Sequence, residues 1–406
     1  MAAHTRKFKP GYGTHKFGDD YWPGARPDPD EIVDRLLDGT SVSVFGLRRI
    51  GKSSLIAETR ERLRASGKTV LWIDLQKHDT LAGTLAALLK ALAENNGPVA
   101  KISKWAERTD FLPANIKAKV TSIIKSKIDS VADSDIDDYA EALFEQIGSE
   151  LAALDKQTRP IIIFDELPLL FLNALKAADP VDQPKVVARL NKFLAILRHW
   201  RSDDVGVAMA LCGSFSMPWL RREYGIDDEH LNDCDPVTIE EMKEEDASKL
   251  IEACIAARRP KGWQDGCTDA LLELLPAYFP GVIQLAYSKI KYAPDASLSA
   301  LKGDLRDKIE DALEEKYYSQ FDRRFSRYDE PERERAARLF KEIAKASDGK
   351  IEFDKAIQIL SAQSQQGDDQ TGRELLDFLQ SDGFVSSSRS RGVAYASGLV
   401  SAWRSD

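Results

Sequence analysis

Eight residues, GLRRIGKS at positions 46–53, have the types and spacing needed to cradle a row of phosphates. Gly46 and Gly51 allow the backbone to turn so that successive N–H groups face inward around an anion. Lys52 has the reach and charge for the terminal phosphates, and the Ser53 hydroxyl suits a divalent cation. The string fits GxxxxGK[ST], a pattern that needs a strand before it and a helix after it. Arg48 and Arg49 stand where smaller residues are usual. They have two open readings: pairing with phosphate oxygens or a neighbouring acid, or packing as a structural pair against acids of the sheet.

A second group lies at IIIFDE, 161–166. An apolar run that ends in two acids puts both carboxylates at the carboxyl end of a buried strand, where parallel sheets bind their ligands. Asp165 is then the Mg²⁺ acid, and Glu166 the general base that polarises an attacking water. A glutamate directly after the metal acid, with a further strand between the two motifs, marks NTPases with a built-in catalytic glutamate. The NKxD base-recognition motif of GTPases is absent, so the expected ligands are ATP and Mg²⁺. Gly46, Arg48, Arg49, Ile50, Gly51, Lys52, Ser53 and Ser54 are assigned to the nucleotide. LCGSFSM (211–217) supplies Ser214 or Ser216 as a polar contact to the γ-phosphate or the water. In WLRREYG (219–225), Arg221 and Arg222 are candidates for an arginine finger at a subunit edge, or else solvated charges at a helix end.

These residues need a frame. SVSVF (41–45) reads as a strand, the stretch after the glycine loop as a helix to about residue 65, and TVLWIDL (69–75) as a second strand, which together make a parallel βαβ unit. Residues 80–158 read as helical, with an insertion at about 97–136. Further strands are expected in RPIIIFDELPLLF (159–171), in GVAMALCGS (206–214) and at PVTI (236–239), the last as an edge. From 243 to 291 the pattern is helical, and a charged helical stretch at 302–327 leads into a separate terminal unit. The expected fold class is α/β with a P-loop NTPase parallel sheet, and resemblance to a known ATPase family implies an α-helical lid after it and then a winged helix. The boundaries follow as a leader and first helix at 1–40, a core at 41–240, a lid at 241–325 and a winged-helix domain at 326–406.

A chain of 406 residues is too long for one core. Its 43% hydrophobic and 30% charged residues suit a soluble globular protein. No apolar run is long enough to span a bilayer, and the first residues lack the apolar segment of a signal peptide, so a cytoplasmic location with no membrane association is expected. The four cysteines fit neither a metal pattern nor a disulfide framework. A net charge of −9 argues against a protein that coats nucleic acid. The lysines of 101–127 form either a solvated helix face or a docking surface.

FGLRRIGKSSLI resembles the GxRRxGKTSL loop of the archaeal-type ATPase family, in the AAA+-like and STAND group of P-loop ATPases. The likeness continues through IIIFDE and LCGS. LLPAYFPGVIQLAY (274–287) resembles the lid segment GGxPxxxQ, which implies that Pro280 approaches the nucleotide, although Ala277 and Tyr278 replace the two glycines. Residues 375–403 resemble the winged helix that ends many of these chains. The resemblance implies an ATP-driven switch or motor that acts on a protein partner or effector, in a defence or mobile-element system, and is compatible with a homo-oligomer. It implies as an alternative an ATP-regulated DNA-binding protein. The presumptive recognition helix, QTGRELLDFLQ (370–380), carries one arginine beside Glu374 and Asp377, with Asp382 just beyond, a poor surface for phosphates. A protein-contacting winged helix is therefore the expectation. A chain that merely holds ATP is the third reading, and the intact Lys52, Ser53, Asp165 and Glu166 weigh against it.

Overall fold

The computed structural model describes residues 8–12, 16, 18–22, 24, 27–95, 98–103, 113–126, 134–214, 216–362 and 369–404. These fall into two compact units, one made of Asp28–Phe45 and Leu55–Thr238, the other of Met1–Pro27, Gly46–Ser54 and Ile239–Asp406.

The first unit is built on five strands: β1 (Val42–Phe45), β2 (Val70–Asp74), β3 (Ile161–Asp165), β4 (Met209–Gly213) and β5 (Asp235–Pro236). Their order across the sheet is β2-β3-β4-β1-β5, and every neighbouring pair is parallel. β3 and β4 are buried at every position, as strands covered on both faces must be, which explains their unbroken apolar runs. The strand expected within 159–171 runs Ile161–Asp165, with the acids at its end as the sequence places them, and Pro168 sits in the first turn of the next helix, where a missing N–H costs nothing. The expected edge strand at 236–239 is replaced by Asp235–Pro236. Val237 still donates its N–H to Ser43 O at 2.8 Å, and proline is tolerated because β5 pairs on one side only.

Helices α1 (Pro29–Leu37) and α2 (Lys52–Ala65) flank β1 in sequence. After β2 come α3 (Leu81–Glu94), α4 (Pro98–Ser103), α5 (Ala114–Ser126), α6 (Ser134–Asp137) and α7 (Ala140–Ala152). Residues 104–112 and 127, which carry part of the 101–127 basic stretch, lie outside the described residues. α8 (Leu167–Ala177) and α9 (Gln183–Arg201) separate β3 from β4, and α10 (Met217–Tyr224) follows β4. Their inward faces share one core, in which Phe144, Phe164, Phe171, Phe193 and Trp200 are essentially inaccessible to water.

The second unit is mainly helical: α11 (Glu244–Ala257), α12 (Cys267–Leu274), α13 (Pro280–Ile290), α14 (Leu298–Leu301) and α15 (Asp304–Leu313), then a π-helical turn at Glu314–Tyr318 that runs into α16 (Ser319–Phe325). The chain then forms α17 (Glu330–Lys345), β6 (Lys350–Ile351), α18 (Phe353–Ser361), α19 (Asp369–Ser381), the hairpin β7 (Val385–Ser388) and β8 (Gly392–Tyr395), and α20 (Gly398–Trp403). β6, β8 and β7 make a small antiparallel sheet in that order. Asp329 and Glu332 start α17 with a reciprocal capping box. Among the described residues, no helix is long and apolar enough to cross a membrane.

Candidate nucleotide site

The register of the sheet aligns the ends of its strands. Phe45 pairs with Gly213, Phe164 with Leu211, and Asp74 with Asp165, so β1, β4, β3 and β2 all finish at one carboxyl edge. Three sequence-predicted features start there. The phosphate loop continues β1, Asp165 and Glu166 end β3, and Ser214 follows β4.

Asp165 is buried, and its backbone carbonyl accepts the N–H of Leu75 at 2.9 Å, which fixes the strand end. Glu166 has φ of 61°, in the left-handed region that non-glycine residues rarely occupy. Strain of this kind persists where the surroundings hold it. Here Ser214 does so: its N–H donates to Glu166 Oε2 at 3.0 Å and its Oγ to the same oxygen at 2.8 Å. Gly213, one residue earlier, lies so close to the Pro168 ring that a side chain there would collide with it. Ser216, the other serine candidate, is used as the N-cap of α10, where its Oγ accepts from Trp219 N at 3.3 Å. Phe215 between them lies outside the described residues. Arg221 sits in the last turn of α10 and pairs with Asp228 at 3.1 Å, and Arg222 is exposed beside it. Burial pushes the Asp228 carboxyl above its ordinary range, against the pull of Arg221.

The loop is held by the second unit. Gly46 and Gly51 have φ of 155° and 120°, and Arg49 has φ of 69°. Lys52 is buried and turns back on its own loop, donating Nζ to the carbonyls of Leu47 and Gly46. Leu47 and Ile50 belong to the hydrophobic core of the unit. The Arg48 N–H donates to Gln320 Oε1 at 3.1 Å. Tyr317 donates its hydroxyl to Arg49 O at 3.1 Å, and Arg324 Nη2 reaches Gly46 O at 3.4 Å. The Arg49 guanidinium lies over the Tyr12 ring, 5.7 Å from its centre. Ser54 Oγ accepts the N–H of Lys16 at 3.0 Å. Pro280 opens α13, and at Gly281 a side chain would run into the carbonyl of Arg49. The Pro280 segment thus lies against the loop backbone. Tyr317, Gln320 and Arg324 escaped the sequence reading, since polar residues inside a charged helical stretch look like solvated ones. The available signal was their spacing, which keeps the three on one face.

A glycine-turned loop that directly follows β1 of a parallel β2-β3-β4-β1-β5 sheet decides the fold. It is that of a P-loop NTPase. The structure is similar to the Walker-type ATPase of Pyrococcus abyssi, with 14% identity, a TM-score of 0.52, and 97% of this chain and 99% of that one covered. Looser similarities reach the ORC2 protein of Aeropyrum pernix, at 13% identity over 93% of this chain and 92% of that one with a TM-score of 0.41, and Cdc6p of Pyrobaculum aerophilum, at 10% identity over 96% of each with a TM-score of 0.36. No family model matches the sequence, and no curated protein does. Ser53 carries a hydroxyl and Asp165 a carboxylate, oxygen groups of the kind that Mg²⁺ prefers. Among the described residues, no cluster of three or more His, Cys, Asp or Glu side chains is placed to hold a metal.

Proposed function

We propose that the protein is an Mg²⁺-dependent ATPase that works as a molecular switch. The observation that carries this reading is the Ser214–Glu166 pair at the end of β3. A carboxylate held by two donors in a strained backbone has its orientation set before any substrate arrives, as a general base requires. Lys52 and the loop N–H groups would bind the phosphates, and Ser53 and Asp165, the donors that the two motifs single out, would hold the metal. Bound Mg²⁺ would supply charge neutralisation to the phosphates. Glu166 takes a proton from the attacking water as the water oxygen bonds to the γ-phosphorus. The bond from that phosphorus to the bridging oxygen breaks, and ADP and phosphate leave.

The segment α17–β6–α18–α19–β7–β8 has the order of a winged helix, and we read it as the switch's output. α19 contributes Arg373 against Glu374 and Asp377, which favours a protein partner over the alternative of DNA. Arg221 and Arg222 on α10 are proposed to serve a homo-oligomer, with Arg221 exchanging Asp228 for a neighbour's nucleotide.

The test measures ATP turnover with Mg²⁺ and with EDTA, for the native chain and for Glu166→Gln, with and without duplex DNA. Turnover that needs Mg²⁺ and falls at least about 100-fold in Glu166→Gln, with ATP still bound, is the expected result. A native chain that binds ATP and never turns it over sinks the switch reading. Salt-sensitive stimulation by DNA would instead favour the DNA-binding alternative.

A further inference from the structure

The loop is gripped by one helical face. Tyr317, Gln320 and Arg324 recur at steps of three and four, and they take Arg49 O, the Arg48 N–H and Gly46 O respectively. All three side chains are buried, with 1%, 6% and 5% of their surface exposed. Groups this deep have no water to fall back on, so each bond to the loop matters to the side chain as well as to the backbone. Tyr317 lies in the π-helical turn Glu314–Tyr318, a local widening that re-aims side chains and is common at functional sites. Burial raises the Tyr317 phenol well above its ordinary value and lowers the Arg324 guanidinium, so the tyrosine remains a hydroxyl donor at any physiological pH.

The same helical stretch turns a second face to the C-terminal elements. The Phe321 ring lies tilted against Phe384 at 5.8 Å and against Trp403 at 5.3 Å, and Asp322 accepts the Trp403 Nε1–H at 2.9 Å. Arg324 bridges both faces. Its Nη1 donates to Asp382 O at 2.6 Å while its Nη2 reaches Gly46 O, and Tyr328 donates to Asp382 Oδ2 at 2.9 Å. Asp382 and Gly383 form the turn that launches β7, so one buried guanidinium ties the first glycine of the phosphate loop to the root of the hairpin.

We propose that Tyr317, Gln320 and Arg324 are positioning residues. They hold the phosphate loop in shape for the nucleotide and transmit its occupancy to the β7–β8 hairpin. This rests on the nucleotide reading above, and it names the path by which the site would be read out. The grip acts on backbone atoms of positions 46, 48 and 49, so it is independent of the side chains at 48 and 49.

The experiment follows binding of a fluorescent ADP analogue with Mg²⁺ and amide exchange across 385–395, with and without ADP. In the native chain, ADP is expected to slow exchange in the hairpin. Gln320→Leu removes the acceptor and is expected to weaken ADP about fivefold and abolish the hairpin response. Gln320→Glu keeps the acceptor but loses the donor to Lys316 O, so it should restore both only in part. Tyr317→Phe, which loses only a hydroxyl, tests the same link if Gln320→Leu does not fold, and it should lower affinity and response together. No ADP binding by the native chain would overturn the nucleotide reading. Binding without any hairpin response would overturn this inference alone, as would variants that keep both affinity and response.

Discussion

Glu166 and Ser214 show how far a single residue can be argued from its contacts. The Ser214 Oγ bond at 2.8 Å goes to a charged acceptor, a class worth about 1.5–3 kcal/mol net. Ser214→Ala would leave the backbone N–H bond at 3.0 Å in place, so the glutamate loses part of its hold and keeps its location. The expected outcome is a fall in kcat of about 10-fold with nucleotide affinity within about twofold of native, since an interaction of the base counts in the transition state. Steady-state turnover and a binding titration on the same preparation separate the two. Equal loss of affinity would mean that Ser214 contacts the nucleotide itself, the role the sequence suggests for it. The two arginines of the loop sharpen in the same way. Arg49 lies over Tyr12 while its carbonyl is held by Tyr317, and Arg48 engages Gln320 through its backbone, so much of what fixes these positions is not guanidinium chemistry.

At the scale of elements, most of what positions the chemistry is legible in the sequence, and the reason is local. Ile161 to Phe164 must be a doubly covered strand, and a glycine loop between a strand and a helix has few alternatives. What escapes is tertiary. β5 shifts to Asp235–Pro236 because the edge of β1 selects the register, a choice no propensity encodes. The helix expected at 302–327 contains a π turn, and three polar side chains point inward where the charge pattern suggests solvent. Gly281 is the informative case. It follows Pro280 in the first turn of α13, and its lack of a side chain is demanded by the Arg49 carbonyl. Gly281→Ala should force the loop or α13 to move, at about 1–3 kcal/mol by the usual cost of overpacking. Urea unfolding should show the loss, and the affinity for Mg²⁺–ADP should fall more than the global stability does, because the displaced atom belongs to the phosphate loop.

For the whole molecule, the division of the cores makes the last prediction. One hydrophobic cluster contains Cys234 and sits on the sheet; a separate one contains Cys254, Cys267 and the loop residues Leu47 and Ile50. All four cysteines, Cys212 among them, are buried, and none is in a disulfide. Burial raises the thiol of Cys234 to about 11 and that of Cys254 to about 12. A thiol with its pKa raised in the folded state stays protonated below that value, so neither is nucleophilic at neutral pH, and alkylation reports unfolding alone. Units with their own cores open with their own free energies. Brief iodoacetamide pulses along a urea series should therefore label Cys254 and Cys267 together, and Cys212 and Cys234 together, at different midpoints. ADP with Mg²⁺ should raise the midpoint of the pair that shares a core with Leu47 and Ile50, by linkage to the folded loop. Four thiols that become reactive in a single transition would show that the two cores unfold as one, and labelling of Cys254 in the native protein at pH 7 would show that its burial is wrong.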